Sequence, residues 1–192
     1  MDDRKFDPAR AERLNDPARL ERLDPGVMWA AAAIADPLSI VDIGAGTGLL
    51  SAAFARLAPR ATVYATDLSD EMLAWMTAHL PDDVANRLVP LRSGESTVPL
   101  PDGVADLVTM VALYHELDDP EASLVEARRL LHSGGRLLIV DWRREEGATM
   151  GPPLAHRVAV GVIMEAVSDA GFDDVESHEV LADFSVVTAT RP

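Results

Sequence analysis

The sequence predicts an α/β fold in which helices cover both faces of a mostly parallel sheet, giving three layers. The first observation is the stretch 38–51, where a short apolar run passes through three glycines into an Ala- and Leu-rich segment. Such a run is typical of a buried strand in a parallel sheet, and the segment after it predicts a helix. The second observation is that strands and helices alternate along the rest of the chain, which implies parallel strands joined by right-handed crossovers. The third is size, because 192 residues with 48% hydrophobic content suit one globular domain.

Apolar periodicity and turn residues divide the chain into seven strands and the helices between them. Strands are predicted over 38–43, 61–66, 87–91, 106–113, 136–141, 172–181 and 184–190. Helices are predicted over 49–58, 69–80, 120–131 and 154–171. Ser133-Gly-Gly135 is expected to stop the third of these helices. Asp183 permits a tight turn between the last two strands, so this pair is predicted to be antiparallel.

The segment 1–36 precedes the first strand and is predicted to form short helices. Asp-Pro pairs such as Asp24-Pro25 are a helix-start signature, because Asp caps a helix and Pro suits its first turn. Arginines alternate with leucines in this segment, which gives its helices an apolar side. We therefore expect 1–36 to form a helical lid over a binding site in the core, 37–192.

Composition narrows the classes of partner. The chain has 17 Lys and Arg against 32 Asp and Glu, a formal net charge of −15. Nucleic acids and anionic membranes bind basic surfaces, so neither is an expected partner. The absence of cysteine excludes disulfides, thiolate metal sites and cysteine nucleophiles, and no metal site is predicted. With no apolar run of about 18 residues and no basic, apolar leader, the expected compartment is the cytoplasm, and the expected state is a monomer or homodimer.

The glycine-rich stretch predicts a ligand site at the end of the first strand. Asp42 is followed by Gly44, Gly46 and Gly48, so the spacing is Asp-x-Gly-x-Gly-x-Gly. A strand that turns through glycines into a helix exposes backbone N–H groups at the positive helix end. The dinucleotide fingerprint is Gly-x-Gly-x-x-Gly, which this spacing does not match.

A second candidate ligand residue, Asp67, follows the predicted second strand. Its carboxylate lies 19 positions after Gly48 and could accept hydrogen bonds from both hydroxyls of a ribose. The alternative is that Asp67 caps the next helix, since Asp is a favoured N-cap, although Ser69 competes for that position.

These motifs together resemble those of class I S-adenosylmethionine-dependent methyltransferases. The resemblance continues through 98–108, through the Gly-Gly turn and strand of 126–140, and into Ala-Gly-Phe at 170–172. It is greatest to the small, broad-substrate branch that includes quinone-biosynthesis methyltransferases. It implies a Rossmann-like sandwich with strand order 3-2-1-4-5-7-6 and S-adenosylmethionine as cofactor. The cofactor-binding residues that it implies are Asp42, Gly44, Ala45, Gly46, Thr47, Gly48, Asp67, Leu68, Met72, Gly94, Glu95 and Val111.

The sequence departs from this branch where adenine is bound. Much of the branch has a Gly-Asp-Ala triplet near the end of strand three, whereas the matching positions here are Ser93, Gly94 and Glu95. Either Glu95 contacts the adenine amino group, or backbone groups do so between apolar walls formed by Leu68 and Met72.

The candidate catalytic residues are His115 and Glu116, which follow the fourth strand. Open α/β sheets bind ligands at the carboxyl ends of their strands, and a histidine there could remove a proton from an acceptor. Alternatively, His115 fixes the loop by a structural hydrogen bond, and Glu116 is solvated or caps a helix. The resemblance implies transfer of a methyl group to the O, N or C atom of a small molecule. A methyltransferase-like binding protein without turnover remains an alternative, as does a nicotinamide-dependent oxidoreductase, which the spacing of the glycines disfavours.

Overall fold

A computed structural model describes residues 11–146 and 150–192, and it has the predicted α/β architecture. The helices are α1 (Ala11–Leu14), α2 (Ala18–Arg22), α3 (Pro25–Ala32), α4 (Leu49–Leu57), α5 (Asp70–Ala78), α6 (Pro120–Leu130) and α7 (Val160–Asp169). Two short 3-10 helices, Tyr114–Glu116 and Leu154–His156, lie between them. The strands are β1 (Ser39–Ile43), β2 (Thr62–Asp67), β3 (Leu88–Arg92), β4 (Ala105–Val111), β5 (Leu131–Trp142), β6 (Asp173–His178) and β7 (Phe184–Thr190).

The seven strands form one sheet in the order β3-β2-β1-β4-β5-β7-β6, which confirms the order that the resemblance implies. Strands β1 to β5 are parallel, whereas β7 runs antiparallel to both β5 and β6. In register, Ile43 lies beside Thr66 of β2 and Met110 of β4, and Val111 lies beside Val140 of β5. The carboxyl ends of β1, β2, β4 and β5 therefore meet at one edge, which we call the carboxyl edge.

Both faces of the sheet are covered by apolar side chains, as a parallel sheet requires. Successive residues of β1 face opposite layers, so Ile40 packs with Phe54 of α4, and Val41 packs with Leu124 of α6. All four of these side chains are fully buried. The polar groups of the carboxyl edge are thus fixed to strands that are held on both sides.

The N-terminal helices differ in how closely they join this core. Asp24 caps α3, because its Oδ1 accepts the N–H of Gly26 at 2.8 Å, as the Asp-Pro signature predicts. Met28 and Ala32 of α3 are fully buried in the same layer as Phe54. By contrast, α2 has no buried residue. The helix α3 is therefore part of the packed core, whereas α2 reaches it only through Leu20 and through Leu23, which follows the helix. The one buried residue of α1 is Ala11. The lid stays a prediction, and residues 1–10 of it lie outside the described residues.

Several boundaries differ from those that the sequence predicts, chiefly at the start of β5, at the end of β6 and in the last long helix. Strand β5 begins at Leu131 rather than at 136, because Gly134 and Gly135 exchange backbone hydrogen bonds with Arg191 at 2.8 and 2.9 Å and so continue the sheet. Gly134 has a φ of 82°, which lets the strand pass through an irregularity opposite the start of β4. The last long helix is divided into the 3-10 helix Leu154–His156 and α7. Within the described residues, no helix is long and apolar enough to cross a membrane.

Candidate functional site

The glycine-rich turn between β1 and α4 brings bare backbone to the carboxyl edge. Gly44, Gly46 and Gly48 have φ values of 70°, 57° and 77°, a region that residues with side chains seldom adopt. A Cβ on Gly44 would lie 2.6 Å from Cδ1 of Leu113, and one on Gly48 would lie 2.8 Å from Cγ of Met76. The turn therefore excludes side chains and presents N–H groups at the N-terminus of α4, where polar or anionic ligand groups are favoured.

Ala45 and Thr47, the other two residues of the turn, are held by the surrounding chain. The N–H of Ala45 donates to the carbonyl of Thr66 in β2 at 2.9 Å, and the carbonyl of Ala45 accepts from Gly48 at 2.9 Å. Thr47 is buried. The conformation of the turn is thus set by β2 as well as by its own glycines.

Asp42 lies beneath the turn in a closed hydrogen-bond network. Its Oδ2 accepts the hydroxyl of Ser51 in α4 at 2.5 Å, and its Oδ1 accepts the hydroxyl of Thr109 in β4 at 2.6 Å. Burial raises the pKa of Asp42 to about 6, while these two hydrogen bonds act in the opposite direction. The carboxyl group therefore joins three elements at the base of the site.

Asp67 contacts the glycine-rich turn directly. Its Oδ2 accepts the N–H of Gly46 at 2.8 Å, and its Oδ1 accepts the N–H of Ser69 at 2.8 Å. Burial raises the pKa of Asp67, and its hydrogen bonds to backbone N–H groups oppose that shift. The cap of α5 is Ser69, whose hydroxyl accepts the N–H of Met72 at 3.2 Å. The alternative role for Asp67 as the helix cap is therefore wrong.

The remaining predicted cofactor residues follow the ends of β2, β3 and β4. Leu68 is 40% exposed beside Asp67, whereas Met72, in the first turn of α5, is buried. Gly94 donates to the carbonyl of Thr97 at 2.8 Å, which forms a tight turn after β3, and Glu95 is exposed within that turn. Val111 is buried at the end of β4. The structure thus brings all of these residues to the carboxyl edge, while their roles toward a cofactor stay predictions.

His115 lies at the same edge, in the 3-10 helix Tyr114–Glu116. Its Nδ1 is 2.8 Å from Oδ1 of Asp141, and its backbone N–H donates to Oδ2 of Asp141 at 3.0 Å. Its Nε2 is 3.6 Å from Oε1 of Glu116. The imidazole is 4% exposed, and Glu116 is partly buried. The predicted pair of ionisable groups is therefore present, with a second carboxylate on the other side of the ring.

The sequence reasoning missed Asp141, which ends the predicted fifth strand. It is 1% exposed, and its Oδ1 also accepts the N–H of Trp142 at 2.6 Å. The signal that could have found it is its position, because an acidic residue at the end of β5 lies beside the end of β4 in the predicted strand order. Among the described residues, no group of three or more His, Asp and Glu side chains could hold a metal ion.

The first two helices lie over this edge. A Cβ placed on Gly46 would be 3.3 Å from Cδ1 of Leu14, so the end of α1 sits directly on the glycine-rich turn. Arg22 of α2 contacts Sδ of Met150 at 3.3 Å, in the connection between β5 and α7. The two helices thus span from β1 to the connection that follows β5.

Arg157 fixes that connection. Its guanidinium donates to the carbonyls of Pro152 at 2.9 Å and Arg143 at 3.0 Å, and to that of Met150. It also lies 5.6 Å from the ring centre of Trp142, which follows Asp141. Arg157 is buried, so its guanidinium ties the described ends of the connection to each other beside Trp142, although most described residues of the connection are exposed.

Comparisons with known proteins agree with this geometry. A family model described as a methyltransferase domain matches residues 41–139, just over half of the chain. The crystal structure of an S-adenosylmethionine-dependent methyltransferase from Aquifex aeolicus has a TM-score of 0.91 and 29% identity, over 98% of this chain and 100% of that one. A ubiquinone/menaquinone biosynthesis C-methyltransferase of Burkholderia orbicola is 29% identical over 80% of this chain and 62% of its own length. The [4+2]-cyclase SpnF shares the fold with a TM-score of 0.77 and 15% identity. The chain spans about half the length of the curated relatives that it matches.

The residues at the carboxyl edge fit the cofactor of this family. The glycine-rich turn brings bare backbone to the N-terminus of α4, and a buried carboxylate stands beside it at the end of the adjacent strand. These are the parts that a ligand with a polar amino-acid portion and a ribose requires. The family match, the strand order and this site agree, and the chain belongs to the class I S-adenosylmethionine-dependent methyltransferases.

Proposed function

We propose that this chain transfers a methyl group from S-adenosylmethionine to a small-molecule acceptor at the carboxyl edge. The observation that carries the proposal is that the glycine-rich turn, Asp67 and His115 lie together on three neighbouring strand ends. The bound cofactor supplies an electrophilic methyl group on a sulfonium centre. The turn 44–48 would hold its amino-acid portion, and Asp67 would bind its ribose hydroxyls. The protein would contribute chiefly by positioning the acceptor and excluding water.

For adenine we propose recognition by backbone groups, with Leu68 as one apolar wall. Leu68 is a large apolar side chain that is 40% exposed beside Asp67, so it offers an apolar surface against which the planar adenine ring would pack. Glu95 is exposed in the turn that Gly94 and Thr97 close. Asp42 would act from below, by supporting the turn rather than by touching the cofactor, because it is almost fully buried between the hydroxyls of Ser51 and Thr109.

The acceptor that we propose is small and largely apolar. Met150 and Leu154 expose apolar surface in the segment that follows β5. The net charge of −15 opposes a polyanionic acceptor such as RNA. The quinone-biosynthesis C-methyltransferases among the relatives make a ring carbon beside a phenolic hydroxyl one candidate for the methylated atom. The cytoplasmic location and the monomeric or homodimeric state stay predictions.

We propose further that the segment 1–36 acts as a lid whose moving part is α1 and α2. Leu14 covers the turn, and Arg22 reaches the connection after β5, so both contacts must break before a ligand can enter from this side. The packed helix α3 would be the fixed end of the lid. Such closure excludes water from the reacting atoms.

A binding protein without turnover is the second candidate. The fold alone does not imply methyl transfer, because a [4+2]-cyclase shares it. The pair of His115 and Asp141 favours an enzyme over a binding protein. Its ring nitrogen and carboxylate lie 2.8 Å apart, and a protein that only retained a cofactor would not need this arrangement.

The decisive experiment combines binding and turnover. Calorimetry with S-adenosylhomocysteine should show that Asp67→Ala weakens binding by about 1.5–3 kcal/mol, because a carboxylate that accepts two hydroxyl groups is lost. Asp83→Ala is the matched control, since Asp83 pairs with Arg56 on the exposed surface, and its removal should leave the affinity unchanged. Equal affinity of the wild type and Asp67→Ala would overturn the assignment of the ribose site. A screen with labelled cofactor should then find methylation of phenolic or quinol-type acceptors. Methylation of bulk RNA or protein, with no small molecule labelled, would refute the acceptor class.

A further inference from the structure

We infer that Asp141 is a positioning residue that leaves Nε2 of His115 as the proton-accepting atom of the site, and hence that the acceptor is one that must lose a proton. The inference rests on the proposed methyltransferase function. It follows from the contacts of one buried carboxylate, which the sequence alone did not single out.

The contacts of Asp141 determine the tautomer of His115. A carboxylate oxygen can only accept hydrogen bonds, so the ring nitrogen 2.8 Å from Oδ1 must carry a proton. That nitrogen is Nδ1. In the neutral imidazole, the lone pair then resides on Nε2, on the far side of the ring. The ionisable group that faces Nε2 is Glu116, whose Oε1 lies 3.6 Å away, beyond hydrogen-bonding distance. The second contact, from the backbone N–H of His115 to Oδ2, prevents the ring and the carboxylate from sliding past each other.

The sheet itself supplies the rigidity for this pair. Val111 lies beside Val140 in the parallel register, and the N–H of Ala112 donates to the carbonyl of Val140 at 2.7 Å. The 3-10 helix that carries His115 begins three residues after Val111, and Asp141 follows Val140 directly. Two adjacent strands therefore set the relative position of base and carboxylate, which is a more exact support than a loop can provide.

The chemistry balances with one proton acceptor. The acceptor loses its O–H or N–H proton to Nε2, and the electron pair that remains on the acceptor forms the bond to the methyl carbon. The pair of the broken carbon–sulfur bond stays on sulfur, and His115 later releases its proton to solvent. If the acceptor is a phenol, the same proton loss can direct the new bond to oxygen or to an adjacent ring carbon. In the second case the methylated carbon then loses its own proton and the oxygen regains one, so that the ring becomes aromatic again and the net loss is still one proton. An acceptor that is already a free nucleophile, such as a neutral tertiary amine, would not need this pair.

The alternative is that Asp141 only fixes the backbone, since it also accepts the N–H of Trp142. The two roles of Asp141 can be distinguished by measuring the kinetic effect of Asp141→Asn in the wild type and in a His115→Gln variant. If Asp141 acts through His115, Asp141→Asn should lower kcat by roughly 10²-fold in the wild type, because an amide can present the wrong hydrogen-bonding atom to Nδ1. The same change should cost less than about threefold in a His115→Gln background. Equal losses in both backgrounds would overturn the inference.

Asp106→Asn is the matched control. Asp106 accepts from Nε2 of His132 at 2.9 Å and from two backbone N–H groups, Leu38 and Ser39, so it has the same kinds of partner at the opposite edge of the sheet. Its replacement should leave kcat and its pH profile unchanged. The decline of kcat/KM at low pH should disappear in His115→Gln. It should shift along the pH axis in Asp141→Asn and stay in place in Asp106→Asn.

A nitrogen-15 NMR measurement of the wild type does not require turnover. The resonances of His115, identified by their loss in His115→Gln, should show a proton on Nδ1 and a bare Nε2 above the titration range of the ring. A bare Nδ1 would overturn the inference even if methyl transfer is confirmed. If no acceptor is found, a protonated Nδ1 would still support the positioning of His115, and the proposed function would fail separately.

Discussion

Replacing Asp42 by Asn should stabilise the protein more at high pH than at low pH. The reason is that the wild-type carboxyl group loses its proton as the pH rises, and the negative charge is unfavourable in a buried site. Its pKa of about 6 in the folded protein compares with an ordinary value of 3.8. The folded state therefore holds this proton more tightly than the unfolded state does. The stability that this bound proton contributes is fully present below about pH 4 and is lost as the pH rises through about 6. The amide of the Asp42→Asn variant does not titrate, so the variant lacks this loss.

The magnitude follows from the two pKa values. A shift of about two units corresponds to about 3 kcal/mol in total, at 1.36 kcal/mol per unit. Between pH 4.5 and 8, a site with these two pKa values loses about 2 kcal/mol of that stability. An asparagine can still bond both hydroxyls, since Ser51 and Thr109 can each either donate or accept. Any constant effect of the substitution is the same at each pH and cancels from the slope.

The assay is urea unfolding of the cofactor-free protein at pH 4.5, 6 and 8. The free energy of unfolding of Asp42→Asn minus that of the wild type should rise by about 2 kcal/mol across this range. Asp83→Asn is a control in which this difference should change with pH in the opposite direction. The hydrogen bond from Arg56 lowers the pKa of exposed Asp83, so the stability that ionised Asp83 contributes is lost as the pH falls. A difference for Asp42→Asn that stays flat from pH 4.5 to 8 would refute the account, since it would mean that Asp42 ionises in the folded state as it does in the unfolded chain.

Two further predictions concern the turn and the lid. Gly48→Ala should lower the free energy of unfolding by about 1–3 kcal/mol, because the φ of 77° at this position is unfavourable for alanine and the new Cβ would collide with Met76. The control is Gly161→Ala in the first turn of α7, where no atom lies near the new Cβ, and this change should be neutral or stabilising. Urea titration of both variants checks this, and equal effects would contradict it. Hydrogen exchange of α1 and α2 should slow when S-adenosylhomocysteine is added, while the amides of β4 stay protected throughout. Exchange in α1 and α2 that is unchanged by the ligand would count against the lid.

The sequence predicted those parts of the fold that depend on local chemistry. The strand into Gly44 and the cap at Asp24 were predicted from the residues, because glycine and capping residues act over a few positions, whereas the strand order was implied by the family resemblance. The start of β5 was not predicted, since a Ser-Gly-Gly sequence after a helix is a usual stop signal. What keeps it in the sheet is pairing with Arg191, more than 50 positions away.

The pairing of His115 with Asp141 was missed for the same reason. The 26 positions between them give no periodic signal, and each alone has an ordinary structural interpretation. Only the register of β4 against β5 brings them together, and that register depends on the irregularity between Ala105 and Leu107.

The two edges of the sheet show why burial helps to separate functional charges from structural ones in this chain. At the edge opposite the site, exposed Arg56 and Asp83 pair 2.7 Å apart, and His132 and Asp106 pair 2.9 Å apart, in contact with solvent. Such pairs fasten neighbouring segments and cost little to form, because water still solvates them. At the carboxyl edge, Asp42 and Asp141 are almost fully buried, in positions where an apolar residue would cost less. A fold that only needed to be stable would not place these carboxylates beneath a glycine-rich turn and behind a histidine. Their cost in stability is explained if the turn must keep its shape while a charged cofactor enters and leaves, and if the histidine must present one chosen nitrogen to the acceptor.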